Sequence, residues 1–150
     1  MTDEKQPAPV QPRLERFRQL VAMWQQRLGL GEFHIKVLSE KIEAHSNAET
    51  RRNSQAKRAR IVLNSESIDS PESIGGPGLE RIAIHELLHV AATELTDTVQ
   101  DDLRHLLGSG VLYEVAIRAV HEAEERLCDR LCDRLAIALV RLAPLGDGNP

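Results

Sequence analysis

Two hydrophobic periods alternate along this chain. Leu14, Phe17, Leu20, Val21, Trp24 and Leu28 recur at intervals of three and four. That is the spacing of one helical face, and it predicts an amphipathic helix over 13–28, ended by Gly29 and Gly31. The period then drops to two. Phe33, Ile35 and Val37 alternate with His34 and Lys36, the pattern of a half-buried strand. A weaker strand pattern covers 43–50, and a third strand is expected over 57–64, where Ala59, Ile61 and Leu63 alternate with Arg58, Arg60 and Val62. Short connections between them predict an antiparallel meander.

Residues 65–78 hold two prolines and three glycines and read as a loop. Helical patterning returns over 79–93, LERIAIHELLHVAAT, where apolar side chains go nearly all round, so this helix is expected to be buried. A short helix near 98–107 stops at Gly108-Ser109-Gly110, and a long one over about 111–142 follows. The fold class expected is α+β: an N-terminal helix, a small antiparallel sheet, a buried central helix and a long C-terminal helix. Residues 1–11, acidic and Pro-rich, and 144–150 read as tails around one domain at 12–143.

Composition narrows the setting. Aromatic residues make up only 3% of the 150, so the core must come from Leu, Ile, Val and Ala. The formal net charge of −4 gives no global attraction to nucleic acid or anionic membranes. No apolar run approaches the roughly 20 residues that span a bilayer, and the N-terminus lacks the apolar stretch of a secretory signal. Cys128 and Cys132 lie four apart in a helical segment, poorly placed for a disulfide. They read as small buried residues in a protein of the reducing cytoplasm.

The chemistry lies in His85-Glu86-Leu87-Leu88-His89. Residues four apart on a helix share a face, so both imidazoles can reach one metal ion. Zinc suits neutral imidazole nitrogens. Glu86, beside the first histidine, is placed to act as general base on a metal-bound water. Buried in an apolar helix without partners, these three side chains would cost several kcal/mol. A third ligand is expected from the last helix. There Glu124 falls within about 60° of Ile117, Val120, Leu127, Leu131, Leu135, Ala138 and Leu142. An acid in an apolar stripe requires a cation, either a metal or an arginine. Glu125, rotated by about 100°, is the alternate.

An H-E-x-x-H helix followed by a glutamate helix resembles the zincin superfamily, and within it the gluzincins. The layout is also similar to minimal phage- and bacteria-encoded metallopeptidase-like proteins, and more distantly to the SprT-like group. The resemblance covers roughly 13–142, and HELLH is its sharp match. It implies a zinc metallopeptidase that hydrolyses peptide bonds in a peptide or protein substrate, with His85, His89 and Glu124 on the metal and Glu86 as base. The thermolysin-like branch carries its third ligand as E-x-x-x-D, a pattern that fits Glu125 with Asp129, whereas helical phase favours Glu124. The alternative function is a non-catalytic metal-binding module that recognises protein or DNA.

Weaker signals surround this motif. His121 lies one turn before Glu124 and is a candidate for supporting the transition state or a ligand. Tyr113 reads as core or rim. Arg51, Arg52, Lys57, Arg58 and Arg60 form a basic cluster, without interleaved aromatics, that nucleic acid or an acidic substrate would have to use. The strand at 57–64 is a candidate edge for strand addition by an extended peptide.

Overall fold

In the computed structural model the described residues are 12–42, 46–65 and 77–142, with backbone alone beyond Leu135. The expected tails, the loop residues 66–76 and His45 lie outside them, as do the side chains of Ala138 and Leu142. The order of elements is α1 (Pro12–Arg27), β1 (His34–Glu40), β2 (Ala48–Asn53), β3 (Arg58–Asn64), α2 (Pro77–Leu107) and α3 (Val111–Leu142). The molecule is α+β, with an N-terminal helix and a long C-terminal one, as the patterning predicts. Among the described residues no helix is long and apolar enough to cross a membrane.

Helix α1 ends where its glycine requires. Gly29 has φ +70°. Its N–H donates to Gln26 O (3.1 Å) and the Leu30 N–H to Gln25 O (2.9 Å), the double bond that closes a helix on a left-handed residue. Gln25 Nε2 donates to Leu30 O and Phe33 O, which aims the chain into β1. Phe17, Leu20, Val21 and Trp24 bury the predicted face, and Trp24 Nε1 reaches Glu80 on α2 at 2.8 Å.

The sheet is mixed, with order β1-β3-β2, and this corrects the expected antiparallel meander. β1 runs parallel to β3, pairing His34 with Arg58 through Glu40 with Asn64. β2 is antiparallel to β3, pairing Ala48 with Leu63 through Asn53 with Arg58. Neighbouring strands lie about 4.8 Å apart, so crossing one intervening strand takes about 10 Å. Residues 41–47 can span that, so a short connection did not force β1 beside β2. β3 holds the centre because Ala59, Ile61, Val62 and Leu63 are all buried, and a strand buried on both faces needs partners on both edges. It is therefore no edge for an added peptide; the open edges belong to β1 and β2. β2 also lies later than expected, at 48–53 rather than 43–50.

The two helices expected at 79–93 and 98–107 are one, α2. No glycine or proline interrupts 79–107. Thr93 and Thr98 hydroxyls donate to the carbonyls four residues back, which keeps them compatible with a helix. Gly108, at φ +68°, ends it. The first half of α2 is the spine of the core: Leu79, Ala83, Ile84, Leu87 and Val90 pack with the α1 face, with Ala59, Ile61 and Leu63 of β3, and with Cys128 and Cys132 of α3. Arg81 and Ala91 are exposed, so the helix is buried on most sides but not all.

On α3 the buried stripe is rotated from the one expected. Glu124, Cys128 and Cys132 face inward, with Tyr113 near the start, whereas Leu127 and Leu131 are 50% and 38% exposed. The small thiol side chains let α3 lie close on α2, and the leucines beside them border the contact instead of filling it.

Candidate metal centre

His85 and His89 sit on the face of α2 turned towards α3 and β2. One turn of helix brings their Nε2 atoms to 3.1 Å. Glu125 of α3 meets both: Oε2 lies 3.3 Å from His85 Nε2, and Oε1 3.2 Å from His89 Nε2. Four-coordinate zinc with ligand bonds near 2.1 Å separates its ligand atoms by about 3.4 Å; the two contacts of Glu125 use different carboxylate oxygens, and one ligand atom from each of the three residues lies within 4.8 Å of the others. His85, His89 and Glu125 are a set of donors among the described residues that could hold a metal ion.

Glu124 stands elsewhere. Its side chain is 8% exposed, inward as helical phase requires. Inward at that level, however, leads to the far side of His89. One carboxylate oxygen lies 2.7 Å from His89 Nδ1. The other accepts from Thr96 Oγ1 at 2.9 Å. Arg52 of β2 lays its guanidinium fork on both, with Nη2 to Oε2 at 2.8 Å, and its Nη1 also donates to the His89 carbonyl at 2.5 Å. The cation demanded by the buried acid is thus Arg52. The geometry expected of Glu124, near both imidazole faces, belongs to Glu125, whose side chain is 60% exposed. Asp129 Oδ1 lies 3.4 Å from His85 Nδ1, a longer contact made by an exposed carboxylate that also faces Arg81. The pair Glu125 and Asp129 is the E-x-x-x-D pattern.

Glu86 points from α2 towards β2. It is buried, and Thr50 Oγ1 donates to its Oε2 at 2.6 Å. Burial raises its pKa; the Thr50 bond and the two histidines pull the other way without cancelling the rise. Burial disfavours a charged His89, but its contacts with Cys128 Sγ and Glu124, together with the Glu125 carboxylate, outweigh that and lift it to about 10. Glu124 is pushed up by burial and pulled further down by His89, Arg52 and Thr96, so it ends well below the usual carboxylate range.

These groups line one cleft of about 380 Å³, with Ala48, Glu49 and Thr50 on the β2 side and His121 at the rim. His121 is exposed and lies 2.8 Å from Gln100 Nε2. Tyr113 is buried under Arg104, whose Nη2 donates to its hydroxyl at 3.2 Å. The basic cluster is largely neutralised. Arg52 is turned inward, Arg51 pairs with Glu49 (2.9 Å), Arg60 with Glu40 (3.6 Å), and Lys57 with Glu94 and Glu32.

Thr50, Thr96 and Arg52 carry no motif, and sequence reasoning assigned none of them a supporting role; Asp129 entered only as the last residue of the E-x-x-x-D pattern. The one available signal was alternation: Thr50 and Arg52 share a strand face, and Arg51 between them does not. No protein-family model, curated protein or solved structure matches this chain.

Proposed function

We propose that the chain is a zinc-dependent hydrolase of the metallopeptidase type, with His85, His89 and Glu125 as ligands and Glu86 as general base. The observation that carries this reading is the convergence of two imidazole nitrogens and one carboxylate at 3.1–3.3 Å beside a buried glutamate in an open cleft. Three protein ligands with one accessible side is the arrangement of catalytic zinc sites, whereas structural sites are closed by four. When bound, zinc would supply Lewis acidity to a water and to a substrate carbonyl.

The chain's own residues supply the rest. Glu86 accepts the water proton and returns it to the leaving amine. Burial raises its pKa, the direction that helps a carboxylate hold a proton and pass it on. Thr50 fixes its carboxylate. Glu124 and Asp129 orient the two imidazoles through their Nδ1 atoms. His121, which lines the cleft, would support a substrate oxygen through the nitrogen that Gln100 leaves free. The open edge of β2 beside the cleft replaces β3 as the place where an extended peptide would lie.

The test is metal analysis of the purified chain, paired with Glu86→Gln and a mixed peptide library read by mass spectrometry. About one zinc per chain and cleavage lost in the variant are expected. Zinc without cleavage in the wild type would favour a metal-binding recognition module. No zinc uptake at all would refute the reading.

A further inference from the structure

The support of His89 comes from a strand that contributes no ligand. On β2, Thr50 and Arg52 lie two apart and face the cleft, while Arg51 between them has a side chain 57% exposed. Thr50 holds Glu86. Arg52, 17% exposed, reaches past it to both ends of one residue: the His89 carbonyl and, through Glu124, the His89 ring.

We infer that Arg52 is a positioning residue of the centre, which acts through Glu124 to aim His89 Nε2 at His85 and Glu125. This rests on the zinc reading above. Glu124 already meets Arg52, Thr96 and His89 Nδ1, so its role is to orient the ring. A ring held at Nδ1 and at its own backbone carbonyl has no freedom left to turn Nε2 away. Arginine suits the position because its planar fork can meet both carboxylate oxygens and still reach a carbonyl, which a lysine ammonium on a flexible stem cannot do. Such outer supports are typically worth 10–100-fold in metal affinity.

The experiment compares zinc affinity, by competition with a chromogenic chelator, in the full chain and in Arg52→Gln, Glu124→Gln, the double variant and Arg51→Gln. The cobalt(II)-loaded visible spectrum is recorded for each, since a change of ligand geometry moves it and a general loss of packing does not. Arg52→Gln and Glu124→Gln should each keep the helical circular dichroism and weaken zinc at least tenfold, with shifted cobalt bands. The double variant should be weaker than Glu124→Gln by less than the loss seen for Arg52→Gln alone, because part of the Arg52 effect runs through Glu124 and part through the His89 carbonyl. Arg51→Gln should match the wild type. A folded Arg52→Gln that binds zinc within twofold of wild type overturns the inference and leaves the metal centre standing. Wild-type chain that takes up no zinc overturns both. If Arg52→Gln does not fold, Arg52→Lys decides: zinc weakened at least threefold supports the role, and wild-type affinity overturns it.

Discussion

Two adjacent glutamates on α3 do different work because a helix turns 100° between them. Glu125 reaches the Nε2 side of the histidines and Glu124 the Nδ1 side. Glu125→Gln should therefore weaken zinc by at least tenfold, about 1.4 kcal/mol, in the chelator competition, and its effect should persist when Arg52 is also replaced. Glu86→Gln should retain zinc and lose about 10²-fold or more in peptide cleavage, the usual share of a general base. Glu124 also makes stability depend on pH. Its folded pKa lies below the unfolded value, so its contribution is present above about pH 4.3 and is lost as pH falls further. In urea titrations of metal-free chain, the drop in stability from pH 6 to pH 3 should be smaller for Glu124→Gln than for wild type. At this scale HELLH was readable because same-face spacing does not depend on the rest of the fold. The choice between Glu124 and Glu125 was not. Phase from apolar neighbours put Glu124 inward, where it lies, but an inward side chain at that level meets His89 Nδ1 and Arg52, and phase does not tell one side of an imidazole from the other.

Among the elements, α1 follows its pattern closely, whereas the division of α2 and the order of the sheet do not. Period and glycines define α1, but a strand's pattern says which face is buried, not which neighbour it takes. The run Ile61-Val62-Leu63 did carry a clue to the centre of the sheet, since every residue in it is apolar. The splitting of α2 failed for a related reason: polar residues at 94–102 lowered the apolar signal where the helix leaves the core, yet nothing there stops a helix. The glycines after α1 allow a sharp test. Gly29 holds φ +70°, whereas Gly31 has no such conformation and open space around it. Gly29→Ala should cost about 1 kcal/mol, read as a lower urea midpoint. Gly31→Ala should stay within about 0.5 kcal/mol of wild type.

For the whole molecule, a ligand that binds only the folded state adds to its stability by mass action. Zinc at 100 times its dissociation constant should stabilise the fold by about 2.7 kcal/mol. A calorimetric melt should show a rise in midpoint with zinc, reversed by chelator and absent when His85 and His89 are both alanine. The centre draws on β2 for Thr50 and Arg52, on α2 for the histidines and on α3 for Glu125 and Asp129. That arrangement has a consequence in time. A ribosome that has just completed the HELLH helix has not yet made Glu125, and, of its partners at His89 and Glu124, Arg52 can reach only the His89 carbonyl until Glu124 arrives. On the proposed reading, the chain is inert while it is being made and gains its centre only when α3, which starts after nearly three-quarters of the residues, packs against the rest.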